Sequence, residues 1–145
     1  MCGIVAYIGQ QQASPIIVKG LKRLEYRGFD STGISLYYGK EIQTIKTTGK
    51  VSDLKVKLQG QEPVQATIGI GHTSWATHDV PNDVNAHPKT SNSGDLVVAH
   101  NGIIENYASL KEELIQRGYT FSSVQNQVIN RFVMCLTKGK KNSLS

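Results

Sequence analysis

Residues 2–8 constrain the fold most, because their apolar side chains stand at consecutive positions instead of at every second one. A strand of this kind has no polar face, so it is stable only when other layers cover both of its sides. From Ser14 to Tyr26 the apolar residues follow a helical spacing, and the pair Ser14-Pro15 is typical of a helix start, with Ser14 as the N-cap. The chain is therefore expected to begin with a buried strand and a helix that packs on it.

The later elements follow from the two side-chain periodicities, alternation for strands and a spacing of three to four for helices. We expect a hairpin over residues 34–38 and 42–47, a helix over 52–58, strands over 67–72 and 96–100, a helix over 103–118, and last helical turns up to Leu136. Short strands with intervening helices predict an α+β fold in which helices lie against a sheet layer. We expect one domain over residues 1–136 and a disordered polar tail over 137–145.

Composition and charge exclude several classes of function. The 145 residues carry a net charge of +5, but the basic residues are scattered and form no basic–aromatic cluster, so no nucleic-acid partner is expected. No apolar run approaches the roughly 18–20 residues that a membrane-spanning helix needs, and the start lacks a secretory signal. Cys2 and Cys135 stand far apart, and the four histidines lack metal-ligand spacing. We therefore expect no metal, free thiols and a cytoplasmic location.

Cys2 is the first residue that suggests chemistry. Removal of Met1 would expose it as the N-terminus, where its α-amino group has an ordinary pKa of about 7.7–8.0. One residue would then supply both a thiol nucleophile and a proton acceptor, which suits the formation of a thioester from a carboxamide or ester. The alternative interpretation is a buried structural cysteine at a strand end.

Two further segments carry polar groups suited to a small ligand. The run His100-Asn101-Gly102 places a side-chain amide and a backbone N–H at the end of a strand, where they are suitable donors for an oxyanion, although Asn-Gly is also a common tight turn. The loop over residues 71–78 contains hydroxyls, imidazoles and an indole. Its alternative interpretation is a packed tryptophan with solvated Ser and Thr side chains.

Taken in order, five segments carry a resemblance to a known family. They are residues 1–5 (MCGIV), 24–33 (LEYRGFDSTG), 73–78 (TSWATH), 85–88 (NAHP) and 100–106 (HNGIIEN). Over about residues 1–121, the chain resembles the amino-terminal glutaminase domain of the glucosamine-6-phosphate synthase family, the glutamine–fructose-6-phosphate transaminases. Other class II glutamine amidotransferases share the cysteine at the start but match the second and fourth segments less closely.

The resemblance implies an N-terminal-nucleophile hydrolase fold, with antiparallel sheets between helical layers. Cys2 would attack the side-chain amide of glutamine, while Asn101 and the N–H of Gly102 hold the oxyanion. Ammonia would leave, water would release glutamate, and no cofactor is needed. The segments that match substrate-contacting loops imply further binding residues: Trp75, Thr77 and His78 in the loop that closes over glutamine, and Arg27 and Gly28 beside the nucleophile.

The chain departs from the family pattern where the charged ends of glutamine would bind. Ser74 replaces an Arg that pairs with the α-carboxylate, and loss of one partner of such a pair costs about 2–5 kcal/mol. The family's Asp for the ammonium group falls in residues 122–129, which contain no carboxylate, and Asn126 is the nearest candidate. Asp79 also replaces a Gly of the family. We therefore expect the chemistry to be retained more fully than the recognition of glutamine.

We interpret the chain as the glutaminase part of such a transaminase, which supplies ammonia for glucosamine 6-phosphate synthesis. The alternative is a truncated, catalytically impaired relative that binds a partner or has no function. Because the family domain is longer, we expect uncovered strand edges, marginal stability and self-association. The expected ligand is glutamine, and the expected protein partner is a sugar-isomerase domain or an intact synthase.

Overall fold

The computed structural model describes residues 2–27, 30–75, 86–91, 93–101, 105–120 and 136–137. The elements in chain order are β1 (Gly3–Ile8), α1 (Ala13–Leu24), a 3-10 turn (Glu25–Arg27), β2 (Ser31–Tyr38), β3 (Glu41–Thr48), α2 (Val51–Gln59), β4 (Ile68–Ser74), β5 (Lys89–Thr90), β6 (Leu96–Val98), α3 (Tyr107–Gln116) and β7 (Leu136–Thr137). None of these helices has the length and apolar character needed to cross a membrane.

The strands form two antiparallel sheets. The larger sheet has the order β1-β4-β2-β3, and the smaller has the order β5-β6-β7. The register pairs Gly3 with Thr73 and Ser31 with Ser74, so the start of β1, the end of β4 and the start of β2 lie at the same end of the larger sheet. Antiparallel sheets with helices confirm the predicted α+β class.

One face of the larger sheet is covered by α1 and α2. Ile17 and Leu21 of α1 are completely buried and belong to a core cluster that also contains Ile34, Leu36 and Leu54. Glycines on β4 permit this close packing, since a Cβ atom at Gly71 would lie 2.5 Å from Ile17 Cγ2 and 2.8 Å from Leu21 Cδ1. The predicted packing of α1 on the first strand is confirmed on the helix-facing side of β1. The expected burial of both faces is wrong, because Ile4 is 41% and Ile8 77% exposed on the other side.

The opposite face of the larger sheet meets the smaller one. Ile70 on β4 packs with Val97 and Ala99 in a second, smaller core cluster. The approach is closest at Gly33, where a Cβ atom would lie only 2.1 Å from the backbone carbonyl oxygen of His87. Only a residue without a side chain fits there, because that oxygen belongs to backbone that cannot turn aside.

Several predicted boundaries are wrong. β4 continues to Ser74 instead of ending at residue 72, β6 ends at Val98 instead of at residue 100, and α3 spans Tyr107–Gln116 instead of 103–118. α1 begins at Ala13 with Gln12 as its N-cap, so Ser14 lies inside the helix instead of capping it. The helix starts earlier because the Ala13 N–H donates to the Ala66 carbonyl at 2.7 Å, and the Ala66 N–H donates to Gln12 Oε1 at 3.2 Å. This long-range pairing satisfies the helix start in place of a serine hydroxyl.

The C-terminal prediction also needs correction. Leu136 was expected in a helical turn and Thr137 in a disordered tail, but both lie in β7, where they pair with Val97 and Leu96 of β6. Pairing with a strand 40 residues earlier in the chain overrides the local helical spacing. The expected helix before residue 136 and the tail over 138–145 lie outside the described residues.

Candidate active site

The candidate site lies at the end of the larger sheet where β1 begins and β4 ends. Continuing the register beyond the pair Gly3 and Thr73 brings Cys2 alongside Ser74. The Asp30 N–H donates to the Ser74 carbonyl at 2.7 Å, which ties the start of β2 to the same place. Three chain segments that are distant in sequence therefore meet at Cys2.

Cys2 and Asn101 are neighbours in this arrangement. Asn101 Nδ2 donates to the backbone carbonyl oxygen of Cys2 across 3.4 Å, and the thiol of Cys2 is free and partly buried. A hydrogen bond of this length is weak. The amide can therefore turn toward a ligand at little cost, and it already lies at the residue that carries the thiol.

The hydroxyl of Ser74 contacts a buried histidine on β4. Its hydroxyl lies 3.0 Å from Nδ1 of His72, which is on the same face of β4 two residues earlier. The His72 side chain is only 1% exposed. Ser74 therefore has one partner already, and a neutral hydroxyl cannot supply the paired donors of a guanidinium.

A pair of buried imidazoles lies directly behind this hydroxyl. The rings of His72 and His87 are 4.7 Å apart between centroids and are inclined at 43°. Within the described residues, Nε2 of each ring is buried without a hydrogen-bond partner. Burial lowers the pKa of His72 from 6.5 to about 4, and burial together with the nearby charges of His72, Lys89 and Lys46 lowers the pKa of His87 to about 2. Both rings are therefore neutral near pH 7.

The turn that carries Arg27 is held by a buried carboxylate. Glu25 is 8% exposed, forms an ion pair with Lys22, and accepts a hydrogen bond from the N–H of Val51 at 3.1 Å. Arg27 Nε donates to the hydroxyl of Tyr26 at 3.1 Å, and its guanidinium lies 5.6 Å from the Tyr26 ring centre. Glu25 thus joins the turn after α1 to the start of α2.

The remaining predicted site residues are only partly described. Trp75 directly follows Ser74 and is 49% exposed, so its indole is accessible at the sheet end. The other members of the predicted set lie outside the described residues; these are Gly28, Thr77, His78, Asp79, Gly102 and Asn126. The described structure therefore places Asn101 at Cys2, and Ser74 and Trp75 lie at the same end of the larger sheet. Arg27 ends the 3-10 turn that follows α1.

The described groups suit nucleophilic chemistry more than metal chemistry. No group of three or more His, Cys, Asp or Glu side chains in the described ranges lies close enough to hold a metal ion. Lys46 and Lys89 near the imidazole pair also disfavour a cation there. The Cys2 thiol can instead attack a carbonyl carbon, and the Asn101 amide can donate a hydrogen bond to the oxyanion that forms.

His72 was predicted only as one of the imidazoles in the loop over residues 71–78, and no role was predicted for Glu25. A signal for His72 exists in the alternation of β4, where Ile70, His72 and Ser74 share one face and Ile70 is buried. Glu25 carries no comparable signal, because its partner Val51 is 26 residues away. Only the fold shows that its carboxylate is buried.

The chain is similar to known proteins in both sequence and structure. Residues 59–134 match the family described as glutamine amidotransferase domain. The glutamine–fructose-6-phosphate aminotransferase (isomerizing) of Pyrococcus horikoshii is 56% identical over 123 residues, which are 85% of this chain and 20% of that protein. The enzyme of the same name from Bacteroides thetaiotaomicron is 52% identical over 135 residues, covering 92% and 22%. The chain thus spans about a fifth of the length of these curated relatives.

Two solved structures share the fold. The glutamine phosphoribosylpyrophosphate amidotransferase of B. subtilis, complexed with ADP and GMP, matches with a TM-score of 0.70 and 28% identity, covering 89% of this chain and 28% of that one. A structure described as the allosteric regulatory enzyme of purine biosynthesis matches with a TM-score of 0.73 and 27% identity, covering 85% and 27%. These similarities confirm the expected N-terminal-nucleophile hydrolase type of fold.

Proposed function

The chain belongs to the glutamine amidotransferase domain family, and on this premise we propose that it hydrolyses the side-chain amide of glutamine with Cys2 as the nucleophile. The similarity to the amino-terminal part of glutamine–fructose-6-phosphate aminotransferases supports the proposal. So does the position of Cys2 at the end of a sheet where an amide donor and an accessible indole also lie.

The reaction proceeds in two halves. After removal of Met1, the α-amino group of Cys2 accepts the thiol proton, and the sulfur attacks the amide carbon of glutamine. The tetrahedral oxyanion collapses as the C–N bond breaks, and ammonia leaves with the proton from the α-amino group. Water then attacks the thioester, which releases glutamate and restores the thiol. The sum is glutamine plus water giving glutamate plus ammonia.

The contact between Asn101 Nδ2 and the Cys2 carbonyl carries the proposal. It places the only side-chain amide of the predicted catalytic set 3.4 Å from a backbone atom of the nucleophilic residue. The two residues are 99 positions apart in sequence, so the fold, not the local chain, brings them together. Removal of one oxyanion donor typically lowers the rate of the chemical step about 100- to 1,000-fold, so an effect of this size is expected when the Asn101 amide is removed.

Recognition of glutamine is the weaker half of the proposed activity. Ser74 offers a neutral hydroxyl that is already 3.0 Å from His72 Nδ1, where the family resemblance places an Arg for the α-carboxylate. The loss of such a pair corresponds to roughly 30- to several-thousand-fold weaker binding. This geometry also favours the second candidate function, a catalytically impaired relative that acts by binding a partner.

The proposed consumer of the ammonia is a sugar-isomerase portion that acts on fructose 6-phosphate, either in the same polypeptide or in a partner synthase. The names of these relatives support this, because they are fructose-6-phosphate aminotransferases that are about four times as long as this chain. Free thiols stay reduced in the cytosol, so we propose the cytoplasm as the location of a chain that uses the Cys2 thiol.

Two measurements test the proposal. Release of ammonia and glutamate from glutamine is followed for the parent chain, for Cys2→Ala and for Ser74→Arg. We expect Cys2→Ala to abolish release, and Ser74→Arg to lower the KM for glutamine by roughly 30-fold or more. Intact mass before and after treatment with an electrophilic glutamine analogue then reports whether Met1 is absent and whether Cys2 forms the adduct.

Thr73→Ser is the matched control for the arginine variant, because it changes the neighbouring position without adding charge. It should leave the KM unchanged. Release that persists in Cys2→Ala contradicts the proposal. An unmodified Cys2 in both the parent and the Ser74→Arg chain favours the partner-binding alternative.

A further inference from the structure

We propose that the outer surface of the helical layer, defined as residues 13–27 and 50–59, binds an acidic protein surface that has an apolar centre. The layer comprises α1, the turn after it and α2, and it covers the face of the larger sheet opposite the smaller sheet. Apart from Arg27 at its end, the layer contains no residue of the proposed glutaminase site. Binding at this surface is therefore a separate function of the chain.

The net charge of the chain is concentrated in the helical layer. Residues 13–27 and 50–59 carry seven basic and two acidic side chains, whereas the other residues carry nine of each, so the layer alone accounts for the net charge of +5. These basic residues are scattered in the sequence. The fold gathers them on one side of the larger sheet, because Ile17 of α1 and Leu54 of α2 pack in the same core cluster.

Both acidic side chains of the helical layer are engaged in its local structure. Glu25 is only 8% exposed and accepts a hydrogen bond from the N–H of Val51 at 3.1 Å. Asp53 Oδ2 accepts a hydrogen bond from the N–H of Lys50 at 2.8 Å, at the start of α2. Two carboxylates that hold helix ends cannot balance seven basic groups, so the outer surface of the layer keeps a positive charge.

Three basic side chains on this surface are available to a partner. Lys19, Arg23 and Lys55 are exposed, and none of them forms a hydrogen bond or an ion pair within the described part of the chain. Lys19 and Arg23 are four residues apart on α1 and therefore lie on one helix face, where like charges destabilise the helix slightly. Carboxylates of a partner would relieve this repulsion.

Exposed apolar groups on the same layer favour a protein as the partner. Val56 is 67% exposed beside Lys55, and Tyr26 is 79% exposed at the end of the layer's first helix. Protein interfaces typically combine aromatic and arginine side chains with a polar rim. Single-stranded nucleic acids instead stack successive bases on several aromatic rings, but the layer contains no second aromatic residue, and the Arg27 guanidinium lies over the Tyr26 ring at 5.6 Å.

Binding of acidic polypeptides to the full chain tests the proposal. The probes are fluorescently labelled poly-L-glutamate and a glutamate–tyrosine copolymer of similar length, and the readout is fluorescence anisotropy at low and at physiological ionic strength. We expect both probes to bind the parent chain and both affinities to fall as salt increases. The copolymer should bind more tightly, because its tyrosines can contact Val56 and Tyr26.

A charge-reversal variant identifies the surface that binds. The combined substitutions Lys19→Glu, Arg23→Glu and Lys55→Glu should weaken binding of both probes about 10- to 100-fold, because three exposed ion pairs are lost and repulsion replaces them. The neutral variant with glutamine at the same three positions should show a smaller loss. It replaces the reversal variant if far-ultraviolet circular dichroism shows that the reversal variant does not fold. Unchanged affinity in the folded variant overturns the proposal.

A matched control separates the position of the charges from their number. The combined substitutions Lys138→Glu, Lys140→Glu and Lys141→Glu change the net charge by the same amount in a basic run near the end of the sequence. They should leave the affinity within about twofold of the parent. Equal weakening in the control and in the layer variant contradicts the proposal, because net charge alone would then determine binding.

Further measurements decide the class of partner. Val56→Ser should remove the preference for the copolymer while leaving the affinity for poly-L-glutamate unchanged. Duplex DNA and phosphatidylserine vesicles are compared at the same ionic strength, and tighter binding of either one through the same three basic residues would overturn a protein partner. Labelling of Cys2 by an electrophilic glutamine analogue should be the same in the parent and the layer variant, so failure of the proposed glutaminase activity is recognised separately.

Discussion

The buried ring of His72 makes a specific prediction about acid stability. Its pKa is lowered from 6.5 to about 4 by burial, so the folded chain keeps the ring neutral where the unfolded chain binds a proton. The unfolded state therefore binds more protons between about pH 6.5 and 4, and the free energy of unfolding must fall as pH falls through this window. Well above pH 6.5 the ring is neutral in both the folded and the unfolded chain, so its protonation then takes nothing from the free energy of unfolding.

The magnitude follows from the two pKa values. Between about pH 7.5 and 5.5, His72 alone lowers the free energy of unfolding by about 1 kcal/mol, and most of this arises below pH 6.5. The pKa of His87 is lowered as well, so His87 acts in the same direction. Lys46 and Lys89 add positive charge that lowers the pKa of His87 further.

The assay is urea unfolding followed by far-ultraviolet circular dichroism at about pH 7.5 and 5.5, for the parent and for His72→Gln. Glutamine keeps a polar group beside Ser74 but does not titrate, so the variant should lose about 1 kcal/mol less than the parent over this interval. Equal denaturant slopes in both chains ensure that the midpoints report stability. Parallel losses in the parent and the variant refute the reasoning.

Three further predictions concern packing and local contacts, each read from the same unfolding experiment at neutral pH. Leu21→Ala should cost about 2–5 kcal/mol, since the side chain is fully buried in the cluster under α1; a cost below about 1 kcal/mol contradicts this. Gly33→Ala should be strongly destabilising, because its Cβ would lie 2.1 Å from the His87 carbonyl oxygen, whereas the control Gly60→Ala meets no atom closer than 3.6 Å and should be nearly neutral. Glu25→Ala should cost about 1 kcal/mol through loss of its bond to the Val51 N–H, and unchanged stability would argue against that role.

Elements defined by short-range patterns were predictable. The hairpin between β2 and β3 turns at Gly39 and Lys40, both at positive φ, and its strands pair residue by residue as the alternating pattern suggests. The helix α2 extends only one residue beyond its predicted bounds at each end. In both cases the residues that determine the structure are close together in sequence, so the local signal is sufficient.

Elements that depend on distant partners were not predictable from periodicity. The start of α1 is set by Ala66, and the strand character of Leu136 is set by Val97. In the candidate site, the proximity of Cys2 and Asn101 was expected only from the family resemblance. The packing of His72 against His87 has no local signature, because it arises where two sheets meet.

β1 is the edge strand of the larger sheet, so the residue with the reactive thiol lies next to an element that unfolds locally. Cys2 precedes a strand whose ladder partner in the described structure is β4 alone, with six residue pairs between them. A peripheral strand opens at a lower free energy than the middle of a sheet. Warming should therefore disorganise the reactive end while the helix-covered core is still intact, and turnover should decline before the bulk spectroscopic transition begins.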